Sequence, residues 1–146
     1  MIWLLRHGDA VDGQPDAARP LSPKGERQAR AAGRALARLN VSLDVCLSSP
    51  RVRALDTARL ACESLQIKPK VTQTLDGGAF DAEEVAAGLE HVLLVGHNPS
   101  FEQALHELTG TRARLRKGGV AAVSGRELVA LLGPGELAAI AGDGAE

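Results

Sequence analysis

Aromatic side chains are scarce in this sequence, which holds two Phe, one Trp and no Tyr. Apolar residues still make up 45% of the 146 residues, so the core must be built mainly from Leu, Val and Ala. Such a core favours helices packed on a sheet. A chain of this length buries roughly 68–70% of its unfolded surface without disulfides or metals. We therefore expect a single domain over residues 1–146.

No one sign of charge dominates, and cysteine is rare. The formal net charge of −1 leaves no general attraction to nucleic acid or to an acidic membrane. Cys46 and Cys62 lack C-x-x-C spacing and sit in apolar surroundings, which favours buried thiols over a disulfide or a metal pair. No secretory leader pattern and no run of about 18 apolar residues is visible. We expect a cytoplasmic monomer with no metal and no cofactor.

Short apolar runs alternate with helical patterns along the chain. Ser22 before Pro23, and Asn98 before Pro99, have the form of a helix N-cap and a first helical residue. This alternation predicts an α/β fold, a three-layer α/β/α sandwich whose mostly parallel sheet carries an antiparallel edge strand from the last hairpin. The predicted strands cover residues 1–5, 43–47, 71–75, 91–95, 120–123 and 128–132, and the predicted helices cover 23–40, 51–65, 83–89, 99–109 and 136–141.

Three of the predicted strands end in polar motifs. These are Arg6-His7-Gly8, the stretch from Ser48 to Arg53, and Gly96-His97-Asn98-Pro99. Ligands of such sheets bind at the carboxyl ends of the strands, where helix N-termini favour anions. A metal fits poorly, because the histidines have guanidinium neighbours instead of carboxylates. If the three strands are neighbours, the motifs predict a phosphate site.

The residue types at these strand ends suit phosphoryl transfer. An imidazole attacks phosphorus only when it is neutral, and the positive charges of Arg6 and Arg53 lower the pKa of a nearby His7. The same arginines can bind the oxygens of the phosphoryl group, and His97 can donate to one from the opposite side. Gly8 allows close approach of the backbone, and its carbonyl can fix the tautomer of His7.

The motifs resemble those of the histidine phosphatase superfamily, which has the phosphoglycerate mutase-like fold. The resemblance rests on Arg6-His7-Gly8, on Ser49-Pro50 with Arg53 and Thr57-Ala58, and on Gly96-His97-Asn98-Pro99. The short chain and the segment 19–25 with Gln28-Ala29 are similar to the small SixA-type phosphohistidine phosphatases. The similarity spans residues 1 to about 132.

The resemblance implies a phosphohistidine intermediate on His7, with the phosphoryl group bound by Arg6, Arg53 and His97. Arg53 is preferred to Arg51 because the family's arginine falls three residues after the proline. Arg19 either joins the rim of the phosphate pocket or serves the entry to the first helix.

A general acid is not fixed by any motif. The candidates are Asp76, Asp81 and Glu83, and each also suits a loop or a helix cap. A poorly specified acid favours a substrate with a good leaving group, such as phosphohistidine in a signalling or phosphotransfer protein. The alternatives are a phosphatase of the same fold that hydrolyses small phosphomonoesters or phosphoanhydrides, and a non-catalytic phosphate-binding module. The basic run 112–117 suits a solvated strand face better than a docking site for an acidic phosphoprotein.

Overall fold

The structure is a computed structural model that describes residues 1–143; the last three residues of the expected domain, 144–146, lie outside the described residues. In this part of the chain, six strands form one sheet and five α-helices flank it. The strands are β1 (Ile2–Arg6), β2 (Val45–Ser48), β3 (Pro69–Val71), β4 (Val92–Gly96), β5 (Val120–Ser124) and β6 (Glu127–Leu132), and the helices are α1 (Pro23–Arg38), α2 (Val52–Cys62), α3 (Ala82–Val85), α4 (Ser100–Thr109) and α5 (Pro134–Ala141).

The strand order in the sheet is β3-β2-β4-β1-β5-β6. The first four strands are parallel, β5 is antiparallel to β1, and β6 is antiparallel to β5. β4 lies between β1 and β2, with Arg6 paired to Gly96 and Ser48 paired to Val95. The carboxyl ends of these three strands therefore meet at one edge of the sheet. The α/β sandwich with an antiparallel hairpin at its edge is confirmed.

Helices cover both faces of the sheet, so the central strands β1 and β4 are apolar on both sides. Helices α1, α2 and α5 pack on one face, where Trp3 and Leu5 lie in the core. Helices α3 and α4 pack on the other face, against Leu4 of the same strand. Cys46 and Cys62 belong to the first core, and both are buried free thiols as predicted. A continuous apolar run such as β1 is the pattern that this double burial requires.

The third strand differs from the prediction of residues 71–75. Strand β3 runs over Pro69–Val71, and a 3-10 turn follows at Gln73–Leu75. The hydroxyl of Thr72 accepts a hydrogen bond from the Thr74 N–H at 3.4 Å and begins this turn. Pro69 is tolerated because β3 is an edge strand. Leu75 is buried at the turn, so its apolar character marked a core contact and not a strand.

Two predicted helix signals are also corrected. Ser22 caps α1 as predicted, by accepting from the Gly25 N–H at 3.1 Å, but Asn98 does not cap α4, which has Pro99 at its N-cap. The Asn98 amide donates instead to the carbonyl of Leu115 at 2.9 Å. The helix expected over 83–89 ends at Val85, before a glycine at φ +79°.

The longest helix, α1, has 16 residues, and its exposed face is charged. None of the helices within residues 1–143 combines the length and the apolar character needed to cross a membrane.

Candidate active site

The carboxyl ends of β1, β4 and β2 bring the predicted motifs together. The His7 N–H donates to the Gly96 carbonyl at 3.0 Å, and the Ser49 N–H donates to the Val95 carbonyl at 3.0 Å. These bonds extend the strand pairing by one residue and fix the backbone that carries each functional side chain. The rings of His7 and His97 lie with their centroids 5.2 Å apart. The neighbouring strand ends assumed from the sequence are therefore found in the fold.

His7 is held as a neutral imidazole with a defined tautomer. Its Nδ1 lies 2.7 Å from the Gly8 carbonyl oxygen, which can only accept, so Nδ1 carries the proton and Nε2 keeps its lone pair. Burial lowers the pKa of His7 to about 4, and the charges of Arg53, Arg6 and Lys117 act in the same direction. The hydrogen bond to Gly8 opposes this shift. At neutral pH the side chain has the state that a nucleophile toward phosphorus requires.

His97 faces His7 across the same pocket. Its Nε2 lies 2.7 Å from the Ser49 hydroxyl, which also accepts the Arg51 N–H at 3.1 Å. Burial lowers the pKa of His97 to about 3, with smaller contributions from His7 and Arg53. A Ser49 hydroxyl that donates to Nε2 places the imidazole proton on Nδ1. That atom is buried and has no hydrogen-bond partner within residues 1–143.

Arg6 and Arg53 add positive charge to the pocket. Arg6 Nη1 donates to the Leu115 carbonyl at 3.1 Å, whereas its Nε is buried without a partner in the described chain. Arg53 is only 6% exposed, and its Nη1 and Nη2 donate to the backbone oxygen and the carboxylate of Asp16 at 2.9 and 3.1 Å. Buried donors without partners are rare, and an oxyanion between Arg6 and His97 would supply acceptors for both.

Asp16, which was not among the predicted site residues, connects the arginines of this edge. Its carboxylate accepts from Arg19 Nη1 at 3.0 Å, from Arg51 Nη1 at 3.1 Å and from Arg53 Nη2 at 3.1 Å. Hydrogen bonds from Arg19 and Arg53 hold the pKa of Asp16 below its usual value. Arg19 also donates its Nε to the Val11 carbonyl at 2.8 Å, so it fastens the loop that presents Asp16.

Gly8 is required by close packing between the end of β1 and the start of α1. A Cβ atom on Gly8 would lie 2.7 Å from the carbonyl oxygen of Gly25. The Gly8 N–H donates to the Thr57 hydroxyl at 3.0 Å, and this hydroxyl donates to the Arg53 carbonyl at 2.7 Å. Gly8 therefore approaches α1 closely, and Thr57 ties the turn after β1 to α2.

The three candidate acids occupy different positions. Asp76 accepts from Arg51 Nε at 3.0 Å, and its charge is among those that affect the pKa of His97. Asp81 is the N-cap of α3 and accepts from the Glu84 N–H at 3.2 Å. Glu83 is exposed in the first turn of α3. Of the three, only Asp76 acts electrostatically on His97.

The arrangement suits an anion. Two arginines and two buried histidines converge, and a tetrahedral oxyanion can accept from several of their N–H groups at once. No cluster of three or more His, Cys, Asp or Glu side chains that could hold a metal ion occurs within residues 1–143.

Comparisons with known proteins agree with the geometry. The family model of the histidine phosphatase superfamily (branch 1) matches residues 2–84. An uncharacterized protein of Picosynechococcus sp. is 33% identical in an alignment of 134 residues, and the match covers 82% of this chain and 81% of that protein. The family match contains the strand ends of β1 and β2, and of the four residues expected to act on the phosphoryl group it includes Arg6, His7 and Arg53.

Solved structures extend the similarity to the rest of the chain. The protein histidine phosphatase SixA complexed with tungstate superposes with a TM-score of 0.80 at 25% identity, covering 91% of this chain and 96% of that one. A protein from Nakamurella multipartitia assigned as the phosphohistidine phosphatase SixA has a TM-score of 0.78 at 28% identity, with 91% and 95% covered. The chain belongs to branch 1 of the histidine phosphatase superfamily and is a phosphatase of the SixA type.

Proposed function

We propose that this phosphatase hydrolyses phosphohistidine on a protein, with His7 as its nucleophile. The observation that carries the proposal is the state of His7. Its Nδ1 proton is committed to the Gly8 carbonyl, and a pKa of about 4 keeps Nε2 unprotonated at neutral pH. Arg6, Arg53 and His97 at the same edge supply N–H donors that suit the oxygens of a phosphoryl group.

The first step transfers the phosphoryl group to His7. The Nε2 lone pair forms a bond to phosphorus while the bond from phosphorus to the substrate nitrogen breaks. The electron pair of that bond stays with the substrate imidazole, which leaves as a neutral ring when its other nitrogen is protonated. Arg6, Arg53 and His97 bind the phosphoryl oxygens and stabilise their charge in the transition state.

The second step returns His7 to its starting state. Water attacks phosphorus, the bond between phosphorus and Nε2 breaks, and its electron pair becomes the lone pair of the neutral imidazole. The proton of the attacking water passes to the phosphate product or to solvent. The Gly8 carbonyl favours this release, because it holds the proton on Nδ1 throughout.

The acids around the pocket support the proposed substrate class. Asp16 is bound by arginines that lower its pKa, so it is a poor proton donor at neutral pH. Asp81 is committed to a helix cap, and Asp76 is paired with Arg51. A substrate that expels neutral imidazole does not need a strong acid, unlike an alkyl phosphate. The similarity to two structures described as SixA phosphohistidine phosphatases supports the same class.

A comparison of hydrolysis rates tests the proposal. Phosphohistidine peptides, an aryl phosphate and a panel of alkyl phosphates are assayed with chelator present, using wild type and His7→Ala. We expect rapid release from phosphohistidine, slower release from the aryl ester, and at least a roughly thousandfold loss in the variant. An acid-labile, base-stable phosphoryl label should form on wild type only. Retained turnover in His7→Ala contradicts the nucleophile assignment.

A second candidate function has one observation in its favour. Asp76 lies within electrostatic reach of His97 on the loop after β3, and a carboxyl there can protonate an alkoxide leaving group. This candidate is a phosphatase for small phosphomonoesters or phosphoanhydrides with Asp76 as its general acid. It requires alkyl phosphates to react as fast as phosphohistidine, and Asp76→Asn to slow alkyl phosphates about 10²-fold or more while sparing the aryl ester.

A further inference from the structure

A row of exposed arginines lies in the segment 111–118, which links α4 to β5 outside any helix or strand. Arg112, Arg114 and Arg116 are exposed, whereas Leu115 between them is 1% exposed. The exposed arginines alternate with the half-buried Ala113 and the buried Leu115, so their side chains lie on the side away from the core. We call Arg112, Arg114 and Arg116 the arginine row.

The arginine row differs from the arginines of the pocket in its lack of partners. The side chains of Arg112, Arg114 and Arg116 make no hydrogen bond or ion pair within residues 1–143. Arg51 and Arg53, in contrast, are both bound to Asp16. Because these three side chains form no ion pair within the described chain, they are available to an acidic partner.

The segment is fixed to the active site through the backbone of Leu115. Its carbonyl accepts from Arg6 Nη1 at 3.1 Å and from Asn98 Nδ2 at 2.9 Å. Its N–H donates to the Glu102 carboxylate at 2.7 Å. The residue between Arg114 and Arg116 therefore contacts an arginine of the phosphate pocket, and the arginine row has a defined position relative to that pocket.

The end of the segment lies against the nucleophile. The Gly118 N–H donates to the carbonyls of Arg6 and His7 at 3.1 and 3.0 Å. Lys117 Nζ lies 3.7 Å from the carboxylate of Asp9, two residues after His7. The charge of Lys117 also contributes to the lowered pKa of His7. The arginine row thus leads directly to the rim of the His7 pocket.

We propose that the arginine row is the docking surface for an acidic face of the phosphoprotein substrate. The inference rests on the proposed function, because a phosphoryl group carried on a histidine side chain brings its own protein surface to the rim of the pocket. Acidic residues around the phosphohistidine would then meet the arginine row. Docking of this kind raises the association rate and selects among phosphoproteins, and salt weakens it.

Synthetic phosphohistidine peptides provide the test. Three peptides of equal length carry acidic, neutral or basic residues around the phosphohistidine, and kcat/KM is measured for each at low and high salt. The double variant Arg114→Gln/Arg116→Gln removes two positive charges. The matched control is Arg126→Glu, which changes the net charge by the same amount. Arg126 lies in the β5–β6 turn, close to Val123, which pairs with Ile2 at the opposite end of β1 from the site.

Wild type should favour the acidic peptide over the neutral peptide by roughly tenfold at low salt, and added salt should reduce this preference. The double variant should lose most of the preference and retain hydrolysis of a small aryl phosphate, whereas Arg126→Glu should keep the preference. A wild type that hydrolyses both peptides equally, or a double variant that keeps the preference, overturns the docking proposal alone.

Two further outcomes are distinct. Hydrolysis of the aryl phosphate without hydrolysis of any peptide overturns both this docking surface and the phosphohistidine function. The second is that a short single-stranded RNA inhibits at a lower concentration than an unphosphorylated acidic peptide does. This result would assign the arginine row to nucleic acid, and it also overturns the proposal.

Discussion

The carboxylate of Asp16 accepts a hydrogen bond from Arg53 Nη2 at 3.1 Å, and the Asp16 backbone oxygen accepts one from Nη1 at 2.9 Å. The loop before α1 therefore holds this buried arginine by two of its donors. The backbone contact orients the guanidinium, whereas the carboxylate also reduces the positive potential of the pocket. These two effects can be separated because a substitution can remove the charge and leave the backbone.

Asp16→Asn should strengthen binding of inorganic phosphate. The variant keeps the backbone contact to Arg53 but removes a negative charge that competes with the anion for the arginines. We expect the inhibition constant for phosphate to fall by about three- to tenfold, measured against hydrolysis of an aryl phosphate at constant ionic strength. Asp12→Asn, an exposed substitution in the same loop, is the control. Weaker phosphate inhibition in Asp16→Asn would mean that its carboxylate mainly orients Arg53.

Glu102→Ala should impair phosphate binding, although Glu102 is not one of the residues that bind the phosphoryl group. The carboxylate accepts from the Leu115 N–H and from Asn98 Nδ2, and the Leu115 carbonyl in turn accepts from Arg6. Its loss should cost about 1.5–3 kcal/mol of unfolding free energy, since these are charge-assisted hydrogen bonds, and should raise KM more than it lowers kcat. Glu102→Gln retains an acceptor and should restore most of KM. Glu107→Ala, exposed on α4, controls for loss of charge.

Activity should persist at acidic pH. The pKa of His7 is lowered from 6.5 to about 4, and that of His97 to about 3, so both imidazoles stay neutral as the pH falls from 8 to 5. Below this range His7 gains a proton and loses its nucleophilic lone pair. The pH profile of kcat/KM, corrected for ionisation of an aryl phosphate, should be flat above pH 5 and decline below it. A midpoint near 6.5 would contradict the neutral, desolvated His7.

Thr57→Val should destabilise the turn that carries the nucleophile. The buried Thr57 hydroxyl accepts the Gly8 N–H and donates to the Arg53 carbonyl, and valine leaves the Gly8 donor without a partner. Chemical denaturation should show a loss of about 1–3 kcal/mol. The rate constant kcat should also fall, because the Gly8 carbonyl orients His7. Thr57→Ser keeps the hydroxyl and should retain kcat; an equal fall of kcat in both variants would show that the hydroxyl does not account for the loss.

Local sequence patterns predicted the strand ends because their cause is local. An apolar run that stops at a charged pair, as at Arg6 and His7, predicts a buried strand that delivers polar groups to a sheet edge. The parallel topology then brings His97 to the same edge, and the described fold has this arrangement. The catalytic roles assigned to these residues stay predictions.

Contacts between distant residues had no local signal. Asp16 is 37 residues from Arg53 in sequence, and Asn98 is 17 residues from Leu115. Nothing in the loop 10–22 marks one of its aspartates as the partner of several arginines. Asn98 followed by proline has the pattern of a cap, but a tertiary hydrogen bond uses its side chain instead. The third strand was misplaced for a similar reason. Leu75 is apolar because it packs into the core beneath a turn, and not because it belongs to a strand.

Arg6 Nε and His97 Nδ1 are buried without partners in the described chain. Binding of a ligand to these two atoms should therefore change the melting temperature of the protein. A bound oxyanion that accepts from both atoms stabilises the native state relative to the unfolded chain. At a concentration of 100 Kd this linkage amounts to about 2.7 kcal/mol. Tungstate or phosphate should therefore raise the melting temperature, and chloride at equal ionic strength should not. Thermal denaturation thus becomes a binding assay that needs neither turnover nor knowledge of the natural substrate.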